Sequence, residues 1–107
     1  MFNALTKKML SQVSKNDGEI NASQICFCVS DSFSTIEMFI SEDKVSFRVS
    51  GEPYIVAMSK WLQCELQNGS DISSISLQCL VKLFEIPALK YRGAMIMIDL
   101  IEKINEG

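Results

Sequence analysis

The sequence contains no histidine among its 107 residues. Histidine is the side chain that most often acts as a general base near neutral pH, and it is also the commonest metal ligand. Catalytic triads of the Ser-His-Asp or Cys-His type therefore cannot be built from this chain. We predict that the protein is not an enzyme.

Positive charge and long apolar runs are scarce as well. The formal net charge is −3, which provides no electrostatic footprint for nucleic acid or for an anionic membrane. No apolar run approaches the roughly 18–20 residues that span a bilayer. The N-terminal segment MFNALTKKMLSQ has no apolar stretch or cleavage site of a signal peptide. We therefore expect a cytoplasmic protein whose four cysteines are reduced.

The chain has only two prolines and five glycines, while apolar residues make up 48% of it. That composition supports a real core with little disorder, and the length suits one compact domain over residues 1–107. The spacing of apolar residues predicts one helix, three strands and three further helices. The predicted helices cover residues 3–14, 54–66, 74–84 and 88–105, and the predicted strands cover residues 25–29, 33–40 and 44–50. This order predicts an α+β fold with a small three-stranded antiparallel sheet and helices packed on one face.

The cysteines divide into two kinds. Cys26 and Cys28 are two residues apart, which places both side chains on the same face of a strand. Such a pair is either half of a thiolate metal site or an ordinary structural feature beside a bend. Cys64 and Cys79 lie within helical patterns, where cysteine is usually a small core residue.

Two charged residues stand at unusual positions. Glu52 follows a glycine at a strand-to-helix junction, where it is either a functional group or an acid that complements the helix N-terminus. Arg92 lies in the first turn of the last helix, where the helix dipole disfavours a cation. We expect that Arg92 either pairs with an acid brought close by the fold or occupies a position that serves another role.

Two segments carry a resemblance to a known family. EIPALKYRGAMIMIDLIEKI, residues 85–104, resembles the C-terminal signature E-L-P-P-V-K-x-H-C-S of IscU/NifU-type iron–sulfur cluster scaffolds, without a gap. Arg92-Gly93 then occupies the positions of the His-Cys pair that ligates the cluster. FRVSGEPYIVAMSKWLQ, residues 47–63, resembles the segment F-K-T-Y-G-C-G-A-A-I-A, so that Gly51 matches its glycine and Glu52 stands at a ligand cysteine.

The resemblance implies a fold of the SufE/NifU type and a scaffold-like protein of iron–sulfur cluster assembly with a degenerate site. It implies a cofactor-binding set of Cys28, Asp31, Glu52 and Arg92, in which Cys28 and Glu52 are the metal ligands. The register of the first family cysteine falls near Ser30-Asp31, so Cys28 fits it only after a slip of one or two residues. Because most thiolates are replaced, the site is expected to bind iron or a cluster weakly, or to hold no cofactor.

The same resemblance implies partners. In the scaffolds the L-P-P-V-K string is recognised by a DnaK-like chaperone, and Ile86, Pro87, Ala88, Leu89 and Lys90 keep its chemistry. A cysteine desulfurase is the second expected partner. Two alternatives stay open: a SufE-type sulfur acceptor that uses Cys28 or Cys26, and a non-catalytic interaction module. Either a monomer or a homodimer is compatible with the sequence.

Overall fold

The computed structural model describes residues 2–107. Within that range the chain forms four α-helices and one three-stranded antiparallel sheet, which confirms the predicted α+β class. The helices are α1 (Ala4–Gln12), α2 (Pro53–Gln67), α3 (Leu77–Phe84) and α4 (Tyr91–Glu106), and the strands are β1 (Ile25–Ser30), β2 (Thr35–Ile40) and β3 (Val45–Ser50). Short 3-10 turns at Lys15–Gly18 and Ala88–Lys90 complete the regular structure.

The three strands pair in chain order, β1 with β2 and β2 with β3. Phe27, Met38 and Phe47 form one row across the sheet, and all three belong to the apolar core or pack against it. Helix α4 contacts β1 and helix α2 contacts β3. Except for Ile25, which is 63% exposed, the apolar side chains that alternate along each strand are thus wholly or partly covered by helices, as the period of two predicts.

On the opposite face of the sheet most side chains are polar, and one of the polar residues is buried. Cys28, Glu37 and Arg48 form a row across it. Ser46, on the same face, is fully buried. The segment before β1 covers it, because Gln24 donates a hydrogen bond to the Ser46 hydroxyl, which itself donates to the Glu19 carbonyl oxygen.

Three elements begin at least two residues later than predicted. Helix α3 begins later than expected, because Ser76 is its N-cap and accepts a hydrogen bond from the Cys79 N–H at 3.1 Å. Strand β2 begins at Thr35, so Phe33 belongs to the turn before it. The last helix begins only at Tyr91, after the 3-10 turn that follows Pro87. All three differences come from local hydrogen bonds that apolar spacing does not reveal.

Helix α4 is buried on its inner side only. Ala94, Met97 and Leu100 are fully buried, whereas Met95 is 55% exposed. Among the helices in residues 2–107, none is both long and apolar enough to cross a membrane.

Candidate functional site

A surface pocket of about 610 Å³ lies at one end of the sheet. Four pieces of chain meet there: the β1–β2 turn, the β3–α2 junction, the 88–90 turn and the first turn of α4. Its lining consists of Phe33, Ser34, Gly51, Glu52, Ile55, Ala88, Leu89, Lys90, Arg92 and Gly93. The structure therefore brings together Glu52, Arg92 and three of the five residues of the predicted partner-binding segment.

Glu52 is the acid of this pocket. It is the N-cap residue of α2, but its side chain makes no capping hydrogen bond. One carboxylate oxygen lies 3.6 Å from the Lys90 ammonium, and the other is buried with no hydrogen-bond partner within residues 2–107. A buried acceptor without a donor raises the free energy of the folded state. Glu52 is therefore poorly explained by a purely structural role.

Arg92 is explained by an aromatic contact. Its guanidinium carbon lies 5.1 Å from the centre of the Phe33 ring, a cation–π geometry. Within residues 2–107, no acid lies within ion-pair distance of Arg92. The described part of the chain therefore does not show Arg92 paired with an acid, which is one of the two roles expected for it. The Phe33 ring is 73% exposed, so the contact lies at the surface.

The two pocket glycines allow close packing. A Cβ atom at Gly93 would lie 2.8 Å from Cγ1 of Ile55, and one at Gly51 would lie 2.9 Å from the Ser34 hydroxyl oxygen. Contacts that short do not occur between real side chains, so α4 approaches α2 closely because position 93 has no side chain. The glycine that stands at a ligand cysteine position in the resemblance therefore has a packing role here.

The 86–90 segment divides into a buried anchor and an exposed tip. Ile86 is 4% exposed and belongs to the core, whereas Leu89 is 96% exposed. The 3-10 turn at Ala88–Lys90 is closed by a hydrogen bond from the Lys90 N–H to the Pro87 carbonyl oxygen at 2.8 Å. An apolar side chain is thus presented to solvent beside Lys90 and Arg92.

Asp31 shapes the wall of the pocket without lining it. One of its carboxylate oxygens accepts hydrogen bonds from the backbone N–H groups of Phe33 and Ser34, each at 2.8 Å. The other oxygen is buried and has no partner within residues 2–107. The acid fixes the turn that carries Phe33 to the pocket, as Asx turns do.

Cys28 does not line this pocket. Its side chain belongs to the polar face of the sheet, opposite Glu37, and its carbonyl oxygen accepts a hydrogen bond from Lys103 at 2.7 Å. Cys26 lies on the same face, and both cysteines are exposed. Burial, the Glu37 carboxylate and the Cys28 thiol together raise the pKa of the Cys26 thiol. The predicted site set is therefore divided between two faces of the molecule.

The donor atoms of the pocket do not suit an iron–sulfur cluster. A [2Fe–2S] cluster usually takes four thiolate ligands, or two thiolates and two imidazoles. The pocket offers one carboxylate, a guanidinium and a glycine at the corresponding positions. Across residues 2–107, no group of three or more Cys, Asp or Glu side chains could hold a metal ion.

Phe33 and Ser34 are pocket residues that the sequence reasoning missed. The alternating apolar residues that follow Phe33 place it in the predicted strand over residues 33–40. The signal that could have identified it is the Asp31-Ser32 pair, which favours an Asx turn and ends the strand pattern.

No protein-family model, no curated protein and no solved structure matches this chain. The relation to the scaffold family consequently stays an expectation drawn from the sequence motifs.

Proposed function

We propose that this protein is a non-catalytic accessory of iron–sulfur cluster assembly that acts by docking a partner. The observation that carries the proposal is the nearly complete exposure of Leu89 beside the pocket that contains Glu52 and Arg92. We call Phe33, Leu89, Lys90 and Arg92 together the Leu89 surface. The assignment to iron–sulfur assembly itself rests on the sequence resemblance alone.

The Leu89 surface defines the chemistry of its partner. Leu89 and Phe33 are 96% and 73% exposed, so each offers apolar area that a partner can bury. Lys90 and Arg92 add positive charge beside them, and within residues 2–107 only Lys90 of the two lies near an acid. A partner with an apolar cavity and an acidic rim is complementary to this arrangement. We assign that role to the substrate-binding region of a DnaK-like chaperone.

The fold limits how such a chaperone engages the segment. Ile86 is part of the core, so the five residues 86–90 cannot be drawn out as an extended strand without local unfolding. Leu89 needs no unfolding, because it is exposed already. We therefore propose that Leu89 is the primary contact and that the Ile86 side of the segment stays docked.

The test is a titration of the 107-residue chain with a DnaK-like chaperone, with binding measured by calorimetry or fluorescence anisotropy. Leu89→Ser is expected to weaken binding by about tenfold or more, as expected for a central apolar contact residue. Met95→Ser is the matched control, because Met95 is also exposed but does not line the pocket. Absence of saturable binding, or equal affinity of the Leu89→Ser variant, would refute the proposal.

The sulfur-acceptor function is the second candidate, and the exposure of the Cys28 thiol favours it. It requires a gain of about 32 Da, one sulfur atom, on Cys28 after incubation with a cysteine desulfurase and free cysteine. A Cys28→Ser variant that still accepts the sulfur would exclude this role for Cys28. Anaerobic reconstitution with iron and sulfide separates both candidates from a true scaffold, which would develop visible absorbance.

A further inference from the structure

A second site lies on the polar face of the sheet, away from the pocket residues. Cys26 and Cys28 are alternate residues of β1, and the register places them opposite Phe39 and Glu37. Both thiols are exposed. We propose that Cys26 and Cys28 together form a two-thiolate site for a soft monovalent metal ion of the Cu(I) class.

The strand geometry favours a bridging ion over a disulfide. Alternate residues of a strand are about 6.7 Å apart, and their side chains point the same way. A disulfide needs Cβ atoms within about 3.5–4.5 Å, so it would require disruption of the β1–β2 ladder. Two metal–sulfur bonds of about 2.3 Å span about 4.6 Å, which two side chains that lean toward each other can meet.

The charges on this face also favour a cation. Glu37 stands opposite Cys28, so its carboxylate shares this face with the two thiols. Arg48, the next residue in that row, lies over the Phe39 ring at 5.9 Å and donates a hydrogen bond to the Gly18 carbonyl oxygen. A cation between the two sulfurs would therefore lie beside the Glu37 carboxylate, whose charge attracts it.

The choice of a soft, low-coordinate ion follows from the donor set. Thiolate ligands select Cu(I) over harder ions, and Cu(I) accepts two ligands, whereas a structural zinc site takes four. On binding, both S–H groups release their protons to solvent, two Cu–S bonds form and no atom changes oxidation state. The site does not depend on the proposed docking function, since neither cysteine belongs to the Leu89 surface.

The test uses the reduced 107-residue chain under anaerobic conditions, with Cu(I) supplied as its acetonitrile complex and bicinchoninate as the competing chelator. We expect one Cu(I) per chain, and a loss of affinity of about 100-fold in Cys26→Ser and in Cys28→Ser, because the second thiolate binds intramolecularly. The double variant Cys64→Ser/Cys79→Ser is the matched control and should bind Cu(I) as the wild type does.

Phenylarsine oxide, which bridges two nearby thiols, provides an independent readout by mass spectrometry. A single adduct that masks both Cys26 and Cys28, and that is lost in either single variant, is the expected result. Unchanged Cu(I) affinity in the single variants would overturn the proposal. Loss of binding in the control variant, or one Cu(I) shared by two chains, would also overturn it.

Discussion

Two acids beside helix α2, Asp17 and Glu52, have very different hydrogen-bonding environments. Near its middle, Asp17 accepts hydrogen bonds from the Ser14 N–H at 2.9 Å and from Lys60 at 3.0 Å, and Gln63 donates to it at 3.2 Å. At its first turn, Glu52 has only a 3.6 Å contact with Lys90 and one buried oxygen without a partner in the described chain. Both carboxylate oxygens of Asp17 thus have hydrogen-bond partners, whereas one oxygen of Glu52 has none in the described chain.

This contrast separates a stabilising acid from one that is free for another role. Hydrogen bonds to a charged group contribute about 1.5–3 kcal/mol, whereas an exposed ion pair contributes about 0–1 kcal/mol. Asp17 joins the 3-10 turn at Lys15–Gly18 to α2 and thereby holds the segment that covers β3. Glu52 does little to stabilise the fold, and it lies in the pocket beside the Leu89 surface.

The largest effect is expected at the close helix contact beside Glu52. Gly93→Cys restores a thiol at the ligand position of the resemblance, but its Cβ would collide with Ile55. We expect a loss of about 2 kcal/mol in the free energy of unfolding, typical of overpacking, measured by urea denaturation. Gly18→Cys is the control, because the nearest atoms to a Cβ there are at 3.8 Å. If Gly93→Cys is as stable as the wild type, α2 and α4 are not packed as described.

The next effect concerns Asp17. Burial raises the pKa of this carboxyl, but the hydrogen bonds from Ser14, Lys60 and Gln63 outweigh it and leave the pKa below its ordinary value of 3.8. Asp17→Asn is therefore expected to lower the free energy of unfolding by about 1.5 kcal/mol at pH 7.

The pH dependence of that loss has a definite sign. Because the pKa is lower in the folded state, the contribution of Asp17 is complete above 3.8 and disappears as the pH falls through the folded value. The stability difference between wild type and Asp17→Asn should thus shrink in acid, as measured by urea denaturation over a pH series. Asp43→Asn, in an exposed turn, is the control. A difference that stays constant down to pH 2 would contradict the hydrogen-bond explanation.

The smallest effect is expected at Glu52. Glu52→Gln removes a long ion pair with a half-exposed lysine, so the free energy of unfolding should change by less than about 0.5 kcal/mol in the same urea assay. Lys90→Met, which removes the other partner, is the matched control and should behave alike. A loss larger than about 1 kcal/mol would place Glu52 with Asp17 among the stabilising acids.

The order of helices and strands was predictable, because amphipathic spacing reports which side of each element is buried. The same spacing predicted that Cys26 and Cys28 share one face of β1. The structure confirms this prediction, because both cysteines lie on the exposed face of the sheet. The convergence of Glu52 and Arg92 was expected from the motif alignment. The separation of Cys28 from Glu52 and Arg92 was not expected, because the alignment carried no information about strand register.

Other features depended on single hydrogen bonds that spacing does not encode. Asp31 turns the chain so that Phe33 reaches Arg92, and Gln24 covers Ser46. The resemblance treated Arg92-Gly93 as a replaced ligand pair. Their packing supplies a physical reason for each residue: Arg92 contacts an aromatic ring and Gly93 permits two helices to meet.

By itself, the amino-acid sequence determined the α+β class, the alternation of each strand and the absence of histidine chemistry, since these depend on local spacing and composition. Only the tertiary structure decided that Glu52 and Leu89 share one pocket while Cys28 faces the other side of the sheet. The reason is that contacts between distant residues depend on register and on the close approach of helices, and both are properties of the packed chain.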